Sequence, residues 1–220
     1  MMTALGKRIS LQFFFGFTVS RAIRIPLKDE PDEQLDEILT LIADHPDVYM
    51  DTGHISAEEA MRLCDLKDRY GYKKVVISSS VVKVATMQQL EYMVKKGGYI
   101  EQTLGAYTAA QMIPLTHYYV EKEYSSIDEG MHEPSTINSV VEQISAFGAE
   151  NMIIDTDFGR YALSTPVEGL RQFVSMLLDL GVAAEDVRTM VKTNPEKILG
   201  LEPMDPECFP IASDQTKLQF

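Results

Sequence analysis

The chain has 220 residues, of which 45% are hydrophobic and 24% charged. This length suits one domain, which we place over residues 1–220, and the apolar content excludes an intrinsically disordered chain. The net charge of −13 argues against nucleic acid as a partner, because a polyanionic backbone would be repelled. The two cysteines give no disulfide framework, which agrees with a cytoplasmic location.

The two ends of the chain differ from its middle. Residues 9–19 are apolar, and the preceding Lys7 and Arg8 make them resemble a secretory signal segment. Their β-branched and aromatic side chains also suit a buried strand, which is the interpretation that we favour. The stretch is too short to cross a bilayer as a helix, so we predict no membrane partner. Residues 1–22 are thus interpreted as either a strand or a signal-like segment. We predict an irregular tail over residues 202–220.

Between these ends, short apolar runs alternate with amphipathic helical patterns. The apolar runs predict strands over residues 48–50, 74–77, 99–103 and 152–154. Helical periodicity predicts helices over residues 32–43, 56–70, 86–96, 135–147 and 165–180, with two short helices after them. Capping boxes are predicted at three of the helix starts, namely Ser56 with Glu59, Thr86 with Gln89, and Thr165 with Glu168.

Repeated strand–helix units with apolar strands indicate parallel strands covered by helices, which is an α/β fold. An open doubly wound sheet and a (β/α) barrel both satisfy this pattern. A nucleotide-binding doubly wound sheet usually carries a glycine-rich turn after its first strand, and no such motif occurs here. We therefore predict an incomplete or divergent TIM barrel of about five βα units, fewer than the eight of a full barrel.

Polar side chains follow the predicted strands, where a barrel places its active site. His54 ends one strand and is a candidate metal ligand, although a loop histidine bonded to nearby backbone is the plain alternative. Asp155 and Asp157 end another strand on the same side, where carboxylates can bind a cation and activate water or simply cap the turn. Glu101 is a weaker candidate for the same rim, and His117 lies in an irregular region from which it could reach the mouth.

Four segments carry a resemblance to a known family. They are residues 51–59 (DTGHISAEE), 154–160 (IDTDFGR), 165–173 (TPVEGLRQF) and 190–201 (MVKTNPEKILGL). In this order they resemble the amidohydrolase-like family of metal-dependent hydrolases. The resemblance implies a (β/α)₈ barrel in which a divalent metal, Zn or Mn, activates water against an amide, ester or lactone-type bond of a small molecule.

The resemblance also implies roles for individual residues. His54 matches a metal histidine that ends the fifth strand, and Asp157 matches the eighth-strand aspartate that binds metal and accepts the proton of the attacking water. These two residues do not complete a metal site, and the further ligands could be Asp155, Asp51, Glu101 or His117, or residues of another chain, of which we name Asp155. Ser79 occupies the position of the family's sixth-strand histidine, and we assign it to substrate binding together with Glu101 and His117.

The chain has no His-x-His motif, which the family carries on its first strand. Three interpretations follow: a working hydrolase, a catalytically degenerate relative kept for binding or assembly, or a fragment that begins near the fourth strand of a longer enzyme. An incomplete barrel should expose unpaired strand edges and apolar inner-face residues such as Val75, Val76, Ile153 and Ile154. We therefore predict a homo-oligomer.

Overall fold

Among the residues described below, four short segments form the strands of one parallel sheet. The structure is a computed structural model that describes residues 25–108, 136–159 and 163–202. The strands follow their sequence order across the sheet, each parallel to the next, which confirms the predicted α/β class. They are β1 (Met50–Asp51), β2 (Val75–Ile77), β3 (Gly98–Thr103) and β4 (Met152–Asp155).

Helices connect and follow these strands. The α-helices are α1 (Glu33–Asp44), α2 (Ala57–Tyr70), α3 (Ser79–Val82), α4 (Met87–Lys95), α5 (Asn138–Phe147), α6 (Pro166–Asp179), α7 (Ala184–Arg188) and α8 (Asn194–Leu199). Tight 3₁₀ turns span Leu104–Tyr107 and Ala149–Asn151. The two short helices predicted near the end are joined by a π-helical segment, Thr189–Thr193, so they form one continuous helical run.

The helix starts follow the predicted caps with one exception. Ser56 and Glu59 form a capping box at α2, and Thr86 and Gln89 form another at α4. At α6, Thr165 accepts the N–H of Glu168, but the Glu168 carboxylate pairs with Arg171 and does not bond back to Thr165. The capping box predicted there is thus only half formed, because a nearby guanidinium offers the carboxylate two hydrogen bonds.

Strand register divides the sheet into two faces. Val75, Ile77, Ile100, Met152 and Ile154 point to one face, where they join the hydrophobic core beneath the helices. The other face, which we call the carboxylate face, carries the alternate residues of each strand: Asp51, Val76, Tyr99, Glu101, Thr103, Ile153 and Asp155.

The prediction of exposed apolar residues on the sheet is wrong for three of the four residues named. Val75, Val76 and Ile154 are 0%, 1% and 4% exposed, and Ile153 is half-buried. Val75 and Ile154 face the helices, a consequence of strand register that the sequence alone does not reveal. The prediction of a homo-oligomer therefore has no support from exposed apolar residues at these four positions, and it stays a prediction.

Several expectations concern parts of the chain that the structure does not describe. Residues 1–22, His117, the cap at Ser135 and the tail from residue 203 onward all lie outside the described residues. Among the residues that are described, no helix is both long and apolar enough to span a membrane.

Candidate functional site

Carboxylates gather at the edge of the sheet where the strands end. Parallel strands end at the same edge, so the side chains that follow them meet there. Asp51, Glu101 and Asp155 all lie on the carboxylate face near this edge, on strands β1, β3 and β4. The charges of Asp155 and Asp51 both raise the pKa of Glu101.

Glu101 and Asp155 form the closest pair of this edge. Glu101 is in register with Ile153, so Asp155 is two positions further along the neighbouring strand and on the same face. The two carboxyl groups are close enough for a hydrogen bond between them to contribute to both pKa values. Burial, followed by the charge of Asp155, raises the pKa of Glu101 to about 8, and burial also raises the pKa of Asp155. The pair therefore holds a proton at neutral pH, and Glu101 carries it.

Ser79 lies beside this pair. Its backbone N–H donates to Glu101 Oε2 at 3.1 Å, and its hydroxyl accepts a hydrogen bond from Thr103 Oγ1 at 3.2 Å. The N–H holds the Glu101 carboxyl group in one orientation and favours its ionised form, although burial has the larger effect on its pKa. Two of the three predicted substrate-binding residues thus contact each other.

The loop after β4 brings Asp155 and Asp157 together. The N–H of Asp157 donates to Asp155 Oδ1 at 3.2 Å, which closes a tight turn of the kind aspartate favours. Asp157 is exposed and has φ 48°, in the left-handed region. The carbonyl of Thr156 accepts the N–H of Gly105 at 2.8 Å, so the turn after β3 holds the turn after β4.

His54 follows β1, at the opposite edge of the described sheet from the loop after β4. It is exposed in the turn after β1. Two hydrogen bonds stabilise this turn: the Gly53 N–H donates to Asp51 Oδ1 at 2.6 Å, and Ser80 Oγ donates to the Gly53 carbonyl at 2.8 Å. Strands β1 and β4 are three strand spacings apart, or about 14 Å of sheet at about 4.8 Å each. The structure joins two of the three predicted metal ligands and leaves His54 beyond the intervening strands.

Further polar residues, for which the sequence indicates no individual role, support this edge. Thr52 is buried and its Oγ1 accepts the N–H of Ser78 at 2.9 Å, which ties the end of β1 to the end of β2. On the helix-covered face, Gln102 is 1% exposed, donates to Gln143 Oε1 at 2.5 Å and accepts from the Tyr107 hydroxyl. A glutamine in the middle of a predicted apolar strand was the signal that could have revealed this network.

Comparison with known proteins covers part of this site. Residues 18–101 match a family described as being of unknown function, DUF6282. The matched stretch covers the first two strands and ends within the third, at Glu101, so it includes one member of the carboxyl pair and leaves Asp155 outside. No curated protein matches the chain. The chain is thus similar over its N-terminal part to a family whose description assigns no activity.

Proposed function

We propose that this chain is a hydrolase that cleaves an amide, ester or lactone-type bond of a small molecule, with Glu101 and Asp155 as its acid and base. The observation that carries the proposal is the placement of these two half-buried carboxyl groups side by side on one face of neighbouring strands, where each affects the pKa of the other. Two carboxyl groups that share one proton are equipped for hydrolysis, because one can accept a proton while the other donates one.

The chemistry can be followed through the residues of the chain. In this proposal Asp155 acts in its ionised form and takes a proton from the attacking water, and the protonated Glu101 gives its proton to the leaving group. The N–H of Ser79 keeps Glu101 oriented, and the N–H of Asp157 does the same for Asp155. In this mechanism Asp157, the proton acceptor implied by the resemblance, positions Asp155, and its charge adds to the burial that raises the pKa of Asp155.

The order of the strands supports a barrel over a doubly wound sheet. In a doubly wound sheet the strand order reverses at a switch point, whereas consecutive strands of a barrel stay neighbours. The described strands run β1-β2-β3-β4 without a reversal. We propose that they correspond to the fifth to eighth strands of an amidohydrolase-like barrel, with the candidate site at its mouth.

The proposed mechanism contains no metal step. A catalytic zinc site normally has three protein ligands, and within the described ranges no three His, Cys, Asp or Glu side chains are grouped to hold a metal ion. Zn or Mn bound through His54, Asp155 and Asp157 stays a prediction from the resemblance. The remaining parts of the proposal are a cytoplasmic location and a small-molecule substrate that is not strongly anionic, since the edge of the sheet is acidic.

A non-catalytic binding protein is the second candidate. The observation in its favour is Ser79, which stands where the resemblance calls for a metal histidine and uses its backbone N–H to hold Glu101. A site that has lost metal ligands but kept a polar pocket can still bind the ligand of its catalytic relatives. The two candidates differ in whether bound molecules are turned over.

A substrate panel separates these candidates. Purified wild-type protein is assayed against chromogenic esters, anilides and lactones, beside Glu101→Gln, Asp155→Asn and Glu37→Gln. Glu37 is an exposed residue of α1 and serves as the control for loss of a carboxylate. We expect turnover to fall about 10²- to 10⁴-fold in the first two variants and to be unchanged in the third. Equal turnover in Glu101→Gln and wild type would overturn the proposal, and binding without turnover would favour the second candidate.

A further inference from the structure

Asp157 adopts a backbone conformation that needs an explanation. Its φ of 48° makes it, among the described residues, the one non-glycine residue with a positive φ. The left-handed region brings Cβ close to the following carbonyl, so side chains avoid it, with aspartate and asparagine less averse than most. Such a conformation persists only where the surroundings impose it.

Gly105 supplies one part of these surroundings. It lies in the 3₁₀ turn after β3, and its N–H donates to the Thr156 carbonyl at 2.8 Å. A Cβ on Gly105 would come within 3.0 Å of the Thr156 carbonyl oxygen and 3.3 Å of the Asp157 carbonyl oxygen. The absence of a side chain at this position therefore lets the backbone around Asp157 lie directly against the neighbouring turn.

The ring of Phe158 supplies the other part. It lies over Gly169 of α6 so closely that a Cβ on that glycine would overlap the ring atoms Cδ2 and Cε2. Glycine inside a helix is less favourable than alanine, so its presence in α6 conflicts with local helix propensity. The contact with Phe158 explains the conflict, because only glycine leaves room for the ring.

We propose that Gly105 and the Phe158–Gly169 contact are positioning elements that hold Asp157 in its left-handed conformation. The turn between Asp155 and Asp157 is thereby clamped on both sides, by the end of β3 and by the start of α6. As a statement about catalysis this inference rests on the proposed function, since the clamp fixes the N–H that orients Asp155. As a statement about structure it can be tested without any substrate.

The conformational test compares glycine with alanine at position 157. In a left-handed conformation Gly is more stable than Ala, whereas in an ordinary conformation Ala is more stable because it restricts the unfolded chain. We expect Asp157→Gly to have a higher Tm than Asp157→Ala in the otherwise wild-type chain. In chains that also carry Gly169→Ala or Phe158→Leu, the order should reverse, because the turn is no longer clamped.

Gly159→Ala is the matched control for this comparison. Gly159 lies in the same loop, and a Cβ there would meet no atom within 4 Å. With this substitution the Gly variant at position 157 should keep the higher Tm. Phe158→Leu keeps the test valid if Gly169→Ala fails to fold, because it removes the ring without adding an atom to the helix. A Gly-over-Ala order that persists in both the Gly169→Ala and Phe158→Leu chains would overturn the inference.

Activity supplies the second readout. With a substrate from the panel, Gly105→Ala and Gly169→Ala should lower kcat at least tenfold at a temperature where both are folded, with KM little changed, while Gly159→Ala keeps the wild-type kcat. Hydrolysis that is unaffected by Gly105→Ala and Gly169→Ala would overturn the positioning role and leave the proposed function standing. A reversed Tm order without hydrolysis in any chain would overturn the proposed function and leave the clamp standing.

Discussion

The carboxyl groups of Glu101 and Asp155 lie side by side on one face of two neighbouring parallel strands. The register of β3 and β4 sets the two residues two positions apart on one face of the sheet. Half-burial of both groups makes it costly to ionise them together, so Glu101 keeps its proton to a pH of about 8. Glu101 therefore enters the neutral pH range as an acid, beside a second carboxyl group.

The shared proton makes stability depend on pH in a defined direction. The pKa of Glu101 is about 8 in the folded chain, against an ordinary value of 4.5. Between these values the folded chain holds a proton that the unfolded chain releases, so the free energy of unfolding falls as pH rises. The stabilisation is complete below about pH 4.5 and is lost by the time the pH has passed about 8.

Glu101→Gln tests this direction, because glutamine keeps the shape and does not titrate. We expect the free energy of unfolding of Glu101→Gln, measured by urea denaturation, to exceed that of the wild type increasingly as pH rises from 5 to 8. Glu37→Gln should follow the wild-type curve. Parallel curves for Glu101→Gln and wild type would show that Glu101 titrates alike in the folded and unfolded chains.

The rate of hydrolysis should depend on the same proton. The proposed mechanism needs Glu101 protonated, so kcat should fall as pH rises through about 8. The measurement is kcat against pH on a substrate found in the panel, at a salt concentration held constant. A rate that rises through this range would contradict the role of Glu101 as acid and would favour a base as the limiting group.

Much of the fold could be predicted from local sequence. Ser56 with Glu59 and Thr86 with Gln89 fix helix starts through contacts within four residues, so their signals are complete in the sequence. The capping box that is only half formed at Thr165 shows the limit of such local signals. The guanidinium of Arg171, one turn further along the helix, binds the Glu168 carboxylate instead. A local pattern is reliable only where no nearby charge offers the same group a better partner.

The site was harder to predict because it depends on strand register. Glu101 and Asp155 were both named, but as a substrate-binding residue and a metal ligand, and nothing in their sequence separation indicates that they share a proton. Their contact follows from the pairing of Glu101 with Ile153, which is a tertiary property. The burial of Val75 and Ile154 against the helices was unforeseen for the same reason.

Glu59 should be more important for stability than an ordinary helix cap. One carboxylate oxygen accepts the N–H of Ser56 at 2.9 Å, and the other accepts the N–H of Ile25 at 3.1 Å, so the residue also anchors the segment before α1. Ser56→Ala should cost about 1 kcal/mol of unfolding free energy. We expect Glu59→Ala to cost more, and Glu58→Ala, its exposed neighbour, to cost less than either. Equal losses for Glu59→Ala and Glu58→Ala in chemical denaturation would contradict the anchoring role.

Metal content tests the part of the resemblance that the proposed mechanism does not use. If Zn or Mn is bound through His54, elemental analysis should find one equivalent in the purified wild type and much less in His54→Ala. His45→Ala, at the end of α1, is the control for loss of an imidazole. A folded wild type free of metal after growth in metal-supplemented medium would refute the metal site and leave the carboxyl pair untouched.

The protonation state of Glu101 is the most direct test of the account as a whole. The side-chain carboxyl carbon of Glu101, assigned by comparison with Glu101→Gln, can be followed by ¹³C NMR as the pH of the full-length chain is raised. The account predicts a carboxyl group that is still protonated at pH 7 and titrates near pH 8, and that titrates at lower pH in Asp155→Asn. A Glu101 carbon that titrates near the ordinary glutamate value of 4.5 in the wild-type chain would contradict the shared proton and the chemistry built on it.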